Sequence, residues 1–261
     1  MPVMEGLEHT PPRFGLVALG DSITYGEGGI VLGVDGRSWA LRLAQALDLP
    51  YTNYAVCAVC AADVLADQLP RVRREYDVGL LYVGINDVRD AGFDAAAFDR
   101  DVGAAVDGLA PLCARLPVLT VPLDLGRPRA GATVAGANAS IRGAATAVGA
   151  SVVAPDDLTG RRWMLPDAVH PTALGRLEIA DRAARAIGAA VLPSARTPPE
   201  AGRGAVARFE LDRRRQWRRE AWRRERKRER RAHAGRLSGP MPARDREPDG
   251  VEPGDVRGRC L

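Results

Sequence analysis

The chain has 261 residues, enough for one domain with a substantial core and an extension. Its charge is uneven: residues 195–261 carry 20 Arg and Lys against 11 Asp and Glu, net +9, whereas the preceding residues carry 17 against 22, net −5. No run approaches the roughly 18 apolar residues of a membrane helix, and the first 13 residues lack the pattern of a secretory signal. Four cysteines suggest no disulfide framework in a domain this large, so we expect a cytoplasmic protein.

Five short apolar runs predict the strands of a parallel sheet, because segments with helical spacing lie between them. The runs cover residues 14–19, 51–56, 78–83, 117–121 and 151–154, and the helical segments cover residues 39–47, 64–69, 93–116, 135–148 and 174–191. Strands that alternate with helices predict an α/β domain with three layers, α/β/α, and about five parallel strands. Binding sites in such domains lie beyond the carboxyl ends of the strands. We therefore expect polar residues after these strand ends to converge.

Ser22 follows the first predicted strand in the string Gly20-Asp21-Ser22-Ile23-Thr24. Gly20 permits a tight turn, and a helix that begins at Ser22 would direct backbone N–H groups towards a bound oxyanion. The position of Ser22 after this strand therefore predicts that it is a nucleophile. The alternative interpretation is a helix cap, a common role for Asp and Ser after a strand.

His170 closes the string Asp167-Ala168-Val169-His170, and the other two histidines lie near the termini. Pro171 keeps His170 out of a helix and starts the next one. In such a turn the Asp167 carboxylate can accept a hydrogen bond from Nδ1, which leaves Nε2 free to take a proton from Ser22. The alternative is a surface histidine that precedes a helix.

Asn86 lies in the string Gly84-Ile85-Asn86-Asp87, just after the third predicted strand. A side-chain amide there can donate to a developing oxyanion, while the alternative is an asparagine that forms a turn. Asp87 is expected to hold this loop in shape rather than to orient the histidine, because Asp167 is better spaced from His170.

These three strings resemble the nucleophile, asparagine and closing blocks of the SGNH hydrolases, the GDSL-type esterase and lipase family. The resemblance covers residues 14–192, includes the segment Ser38-Trp39-Ala40, and implies a flavodoxin-like sandwich. It implies a serine hydrolase that cleaves carboxylic esters through an acyl-enzyme, with Ser22 as nucleophile, His170 as base and Asp167 as its partner. The implied oxyanion donors are the Ser22 N–H, an N–H of the second block and the Asn86 side chain. The family also admits thioesterases, lysophospholipases and carbohydrate deacetylases.

The second block departs from the family pattern, which places a glycine after the second strand. Residues 53–60 contain no glycine, and the best register puts Ala58 in its place. Alanine keeps the N–H donor, but a positive φ there would cost about 1–2 kcal/mol. We expect Ala58 to complete the oxyanion hole with Ser22 and Asn86.

The chain divides into a lead (residues 1–13), a hydrolase domain (14–193), a linker (194–204), a basic and helical segment (205–234) and a disordered end (235–261). No residue spacing indicates a metal or nucleotide cofactor, and no obligate protein partner is implied. The expected partner is a small ester. The alternative function is a catalytically weak protein whose residues 205–234 bind nucleic acid or an anionic membrane.

Overall fold

The computed structural model describes residues 13–26, 29–122, 130–200 and 202–237. Six strands of this part form one sheet, and every pairing between them is parallel. They are β1 (Leu16–Gly20), β2 (Tyr51–Asn53), β3 (Tyr76–Tyr82), β4 (Cys113–Arg115), β5 (Pro117–Leu119) and β6 (Ser151–Val153). Their order is β2-β1-β3-β5-β6, with β4 paired to β3. Without β4 this is the flavodoxin-like order, so the predicted α/β fold is confirmed.

Helices cover both faces of the sheet. One layer contains α2 packed on α8, and the other contains α5 packed on α6. The helices are α1 (Ser22–Tyr25), α2 (Trp39–Ala46), α3 (Ala61–Asp63), α4 (Ile85–Arg89), α5 (Ala95–Leu109), α6 (Ala130–Ala147), α7 (Gly160–Trp163), α8 (Ala173–Ala186), α9 (Pro193–Arg196) and α10 (Arg203–Leu237). A π-helical turn (Val64–Gln68) and a 3₁₀ turn (Leu69–Arg71) continue α3.

Strand β1 lies at the centre of the core, and all five of its residues are buried. Because the chain runs from β1 to β2 on one side and then to β3 on the other, the order reverses between β1 and β3. Trp39 at the start of α2 is fully buried, and its ring meets that of Tyr82 edge-on at 6.2 Å between centroids. This packing joins one helical layer to the end of β3, next to the place where the strand order reverses.

The helix predicted over residues 93–116 is too long. Helix α5 ends at Leu109, a 3₁₀ turn (Ala110–Leu112) follows, and residues 113–115 form β4. Pro111 lies in that turn and has no N–H with which to continue the helix. Strand β4 pairs with the start of β3, where Tyr76 lies opposite Cys113. The last residues of the predicted helix therefore belong to the sheet.

The basic segment after residue 200 packs on the domain, which the sequence did not indicate. Residues 203–237 form α10, and Phe209 on it packs against a small cluster of buried side chains that includes Val34 and Leu174. The Glu200 N–H also donates to the Leu32 carbonyl. Residues 235–237 of the predicted disordered end form the last residues of α10. The remaining residues of that end, 238–261, lie outside the described part.

Two of the described cysteines, Cys60 and Cys113, are half-buried free thiols. Within the described residues no helix is both long and apolar enough to cross a bilayer.

Candidate active site

Ser22 lies at the carboxyl end of β1, where the order of the strands reverses. Gly20 has a φ of 143°, and a Cβ on it would lie 2.1 Å from the Tyr82 carbonyl oxygen. Only glycine fits this approach. Asp21 then caps α1, since its Oδ1 accepts from the Ile23 N–H at 2.9 Å. The cap predicted as the alternative role is thus made by Asp21, and Ser22 stays half-buried at the first position of the helix.

A chain of two hydrogen bonds joins Ser22, His170 and Asp167. The Ser22 Oγ lies 2.9 Å from His170 Nε2, and His170 Nδ1 lies 2.6 Å from Asp167 Oδ2. Residues 148 positions apart are thus brought into direct contact. The side chains of His170 and Asp167 are 33% and 43% exposed, so the group opens to solvent. With Nδ1 donating to the carboxylate, Nε2 is the acceptor for the serine hydroxyl.

The turn formed by residues 165–170, called the dyad turn below, places the histidine and its carboxylate. Asp167 Oδ1 accepts from the backbone N–H groups of Val169 and His170 at 2.9 and 3.0 Å. Burial raises the pKa of Asp167, but the His170 ring and these two N–H groups outweigh it and hold the pKa below its ordinary value. The carboxylate is therefore ionised, as an imidazolium partner must be.

The dyad turn is closed by its own backbone. Leu165 N–H donates to the His170 carbonyl at 2.8 Å, and Ala168 N–H donates to Leu165 at 2.9 Å. Ala168 is buried with a φ of 59°, a left-handed conformation that costs a non-glycine residue about 1–2 kcal/mol. Strain of this kind persists only where surrounding contacts fix the backbone.

Asn86 in α4 connects the string of residues 84–87 to the loop of residues 53–60. Its Nδ2 donates to the Val59 carbonyl at 2.8 Å, and Asp87 Oδ1 accepts from the Ala61 N–H at 3.0 Å. An amide nitrogen carries two hydrogens, so Asn86 keeps one for another acceptor. The structure places Asn86 beside the loop that contains Ala58.

Ala58 has a φ of 61° and is exposed. The left-handed region is where glycine is favoured, which agrees with the register that puts Ala58 in the place of the family glycine. The carbonyl oxygen of Gly20 accepts from the Val56 N–H at 3.1 Å, so this loop is attached directly to the turn before Ser22.

Asp21 is a buried carboxyl group next to Ser22 in the chain. It is 1% exposed, and its Oδ2 has no hydrogen-bond partner. Burial raises its pKa from 3.8 to about 7, although the Ile23 N–H and the nearby His170 act in the opposite direction. This burial could not be predicted from the sequence, because a capping aspartate on a surface has the same linear pattern.

Gln68, which the sequence did not indicate as a site residue, holds the turn before Ser22. Its side chain is buried, with Oε1 accepting from Gly20 N–H at 2.8 Å and Nε2 donating to the Gly20 carbonyl at 2.9 Å. It ends the π-helical turn, a local widening often found at functional sites. Asn138 makes the same pair of bonds to Val121, at 2.7 and 2.8 Å, beyond β5.

The sequence and the fold of this chain can be compared with those of known proteins. The model of the GDSL-like lipase/acylhydrolase family matches residues 18–176. The chain belongs to this family. It is therefore an acyl hydrolase acting on ester bonds. No curated protein sequence gives a significant match.

Solved structures share the fold of this GDSL-type hydrolase. An α/β hydrolase from the metagenome of Lake Arreo, Spain, is 21% identical with a TM-score of 0.54, over 66% of this chain and 94% of that one. The acetylxylan esterase Axe2 of Geobacillus stearothermophilus is 18% identical with a TM-score of 0.54, over 68% and 97%. A GDSL-like lipase of Parabacteroides merdae, described as putative, is 17% identical with a TM-score of 0.53, over 68% and 99%. These likenesses show the fold, and the residues that the family model matches, 18–176, do not include α10.

The side-chain amides of Gln68 and Asn138 each bind the N–H and the carbonyl of one residue, so the two residues provide a matched test of what Gln68 does. Gln68→Met leaves the buried Gly20 N–H unpaired, while the Gly20 carbonyl keeps its bond from the Val56 N–H, and Asn138→Leu leaves the Val121 N–H and carbonyl unpaired. Each variant should therefore lower the free energy of unfolding by about 1–3 kcal/mol. Because Gly20 lies two residues before Ser22, Gln68→Met should also lower kcat about tenfold, while Asn138→Leu should preserve it. Urea unfolding and ester hydrolysis measure the two effects. Equal kcat in both variants would assign Gln68 to stability alone.

The raised pKa of Asp21 predicts how stability depends on pH. Because the folded protein holds this proton more tightly than the unfolded chain, stability should fall between about pH 4 and pH 7 and level off above. Asp21→Asn has no such proton. Its free energy of unfolding relative to the parent should therefore rise over that interval by up to about 4 kcal/mol.

The control is Asp94→Asn, since Asp94 also caps a helix but is exposed and has a lowered pKa. Urea unfolding at pH 4.5, 6 and 8 measures both differences. A gap for Asp21→Asn that stays constant with pH would show that Asp21 ionises normally.

Proposed function

We propose that Ser22 is the nucleophile of a two-step hydrolysis of carboxylic esters. The observation that carries this is the unbroken hydrogen-bonded chain from Ser22 Oγ through the His170 ring to Asp167. A hydroxyl within hydrogen-bond distance of a base, itself oriented by a third group, is the arrangement that activates a serine.

In the first step, Ser22 Oγ attacks the ester carbonyl carbon while its proton passes to His170 Nε2. The imidazolium that forms is stabilised by the ionised Asp167. His170 then gives the proton to the leaving alkoxide, the ester C–O bond breaks, and an acyl-enzyme remains. In the second step water loses a proton to His170 and attacks the acyl carbon. The bond between that carbon and Ser22 Oγ then breaks, His170 returns the proton to Oγ, and the carboxylic acid is released.

The oxyanion of each tetrahedral intermediate is assigned three donors: the N–H of Ser22, the N–H of Ala58 and Asn86 Nδ2. The first N–H groups of a helix have no partner within it, which leaves the Ser22 N–H available at the start of α1. The contact of Asn86 with Val59 supports this assignment, because it fixes the amide beside residue 58 with one hydrogen still to donate.

Small carboxylic esters are the substrate class that we assign. The membership in an acylhydrolase family supports it, and the acetylxylan esterase with the same fold is a further enzyme that acts on esters. Among the described residues no group of His, Cys, Asp and Glu could hold a metal, and no step proposed here uses one.

The triad is tested by turnover of p-nitrophenyl esters. Ser22→Ala and His170→Ala should each remove most activity, and the double variant should be little worse because the two residues act as one unit. Asp167→Asn should retain more activity than either. Turnover near the parent value in Ser22→Ala would refute the assignment of the nucleophile.

The oxyanion donors predict two opposite results. Asn86→Ala should lower kcat by about 10²–10³ with little change in KM, since the donated bond matters most in the transition state. Ala58→Gly should preserve or raise kcat. It should also raise the free energy of unfolding by about 1 kcal/mol, because glycine adopts a φ of 61° without strain. A large loss of kcat in Ala58→Gly would place the second donor elsewhere.

The second candidate function, contact of the basic segment with polyanions, rests on α10. Its sequence holds 15 Arg and Lys against 5 Asp and Glu. Such a surface favours nucleic acid or anionic lipid through counterion release. A fluorophosphonate probe separates this function from the first, since it labels Ser22 only where the serine is activated.

A further inference from the structure

Helix α10 presents one less exposed face to the hydrolase domain. Apart from Ala205 and Glu210, which are half-buried, the sequence neighbours of this face are exposed. The residues that form the face are spaced three or four apart and are buried or half-buried, as in a helix that lies along a surface. These residues are Val206, Phe209, Arg213, Trp217, Glu220 and Arg224. Half of them are polar, which is why the face shows no apolar stripe in the sequence.

The first part of this face packs on the small cluster that the end of α7 also contacts. Phe209 contacts the same small cluster as Trp163, the last residue of α7. The Trp163 carbonyl accepts from the Thr172 N–H at 2.7 Å, and Met164 pairs with Pro171 in an isolated bridge. These contacts enclose both ends of the dyad turn, so α10 lies against the structure that carries His170.

Arg224 reaches the dyad turn itself. Its Nη2 donates to the Pro166 carbonyl at 2.7 Å, and its Nε donates to Glu220 Oε1 at 3.2 Å. The second bond orients the guanidinium from one turn earlier in the helix. Pro166 directly precedes Asp167, so Arg224 binds the carbonyl of the peptide group that joins these two residues.

We propose that α10 is a brace for the dyad turn and that Arg224 is a positioning residue for Asp167 and His170. The inference rests on the proposed function of those two residues. The turn holds Ala168 in a strained conformation, and its alignment with Ser22 requires contacts that prevent it from relaxing. Arg224 supplies one of them from outside the turn, through a charge-assisted hydrogen bond.

This role changes what is expected of the chain without its basic segment. The predicted division of the chain, with a hydrolase domain that ends at residue 193, implies that a chain ending near residue 194 would keep its kcat/KM. With α10 as a brace, removal of the helix takes away the cover of Phe209 and the bond to Pro166 together. The loss should appear in kcat, because alignment of the dyad with Ser22 matters to the chemical step more than to binding.

The test compares Arg224→Ala with Arg219→Ala in the full chain. Arg219 is an exposed arginine on the same helix, so both variants lose one positive charge. Arg224→Ala should lower kcat on p-nitrophenyl acetate about tenfold with KM unchanged, and Arg219→Ala should match the parent. Equal kcat in the two variants would overturn the proposal.

Two further variants separate a donated bond from a packing effect. Arg224→Lys keeps a donor and Arg224→Met keeps only the apolar stem, so kcat should be higher in the lysine variant. Equal values would refute the role of the bond, and this comparison also decides the matter if Arg224→Ala does not fold.

A readout independent of turnover is the low-field proton resonance of the His170 Nδ1–H, which reports the bond to Asp167. The resonance should shift or broaden in Arg224→Met and stay unchanged in Arg219→Ala. If the parent protein hydrolyses no ester, the proposed function fails, while this resonance still decides whether Arg224 positions the dyad. An unchanged resonance in Arg224→Met would overturn the inference.

Discussion

The peptide groups around Gly20 are the point on which the site depends. The Gly20 N–H and carbonyl are both bound by Gln68, the same carbonyl accepts from Val56, and the next N–H donates to Tyr82. Four separate stretches of chain thus meet at the end of one strand. Because a side chain on Gly20 would overlap the Tyr82 carbonyl, this junction admits only glycine. Ser22 takes its position from the junction and not from its own contacts alone.

The site also stores unfavourable energy that the rest of the domain offsets. Ala58 and Ala168 adopt left-handed conformations, at a cost of about 1–2 kcal/mol each, and Asp21 holds a buried carboxyl group with an unpaired oxygen. Such features are tolerated where surrounding structure fixes them, here a fully buried central strand and two helical layers. The strain lies in the two loops that supply the proposed oxyanion donor and the dyad.

Much of this arrangement could be predicted from the sequence because it follows from short-range patterns. The apolar runs indicated the parallel sheet, and the strings around Ser22, Asn86 and His170 indicated residues at strand ends. Gln68 could not be found in this way, since its partner lies 48 positions away and the π-helical turn that aims it has no local signature. The same holds for α10, whose inner face contains Arg213 and Arg224 where a packing helix usually has apolar side chains. Periodicity detects apolar contact, and these contacts are made by hydrogen bonds and charged groups.

The central claim is that the acyl group passes through Ser22. The most direct measurement is mass spectrometry of the protein quenched during turnover of p-nitrophenyl acetate, followed by mapping of the acetylated peptide. The account predicts an acetyl group on Ser22 in the parent protein, formed at the burst rate and then lost by hydrolysis. An acetyl group on another residue, or hydrolysis with no acetylated intermediate and no loss of rate in Ser22→Ala, would contradict it.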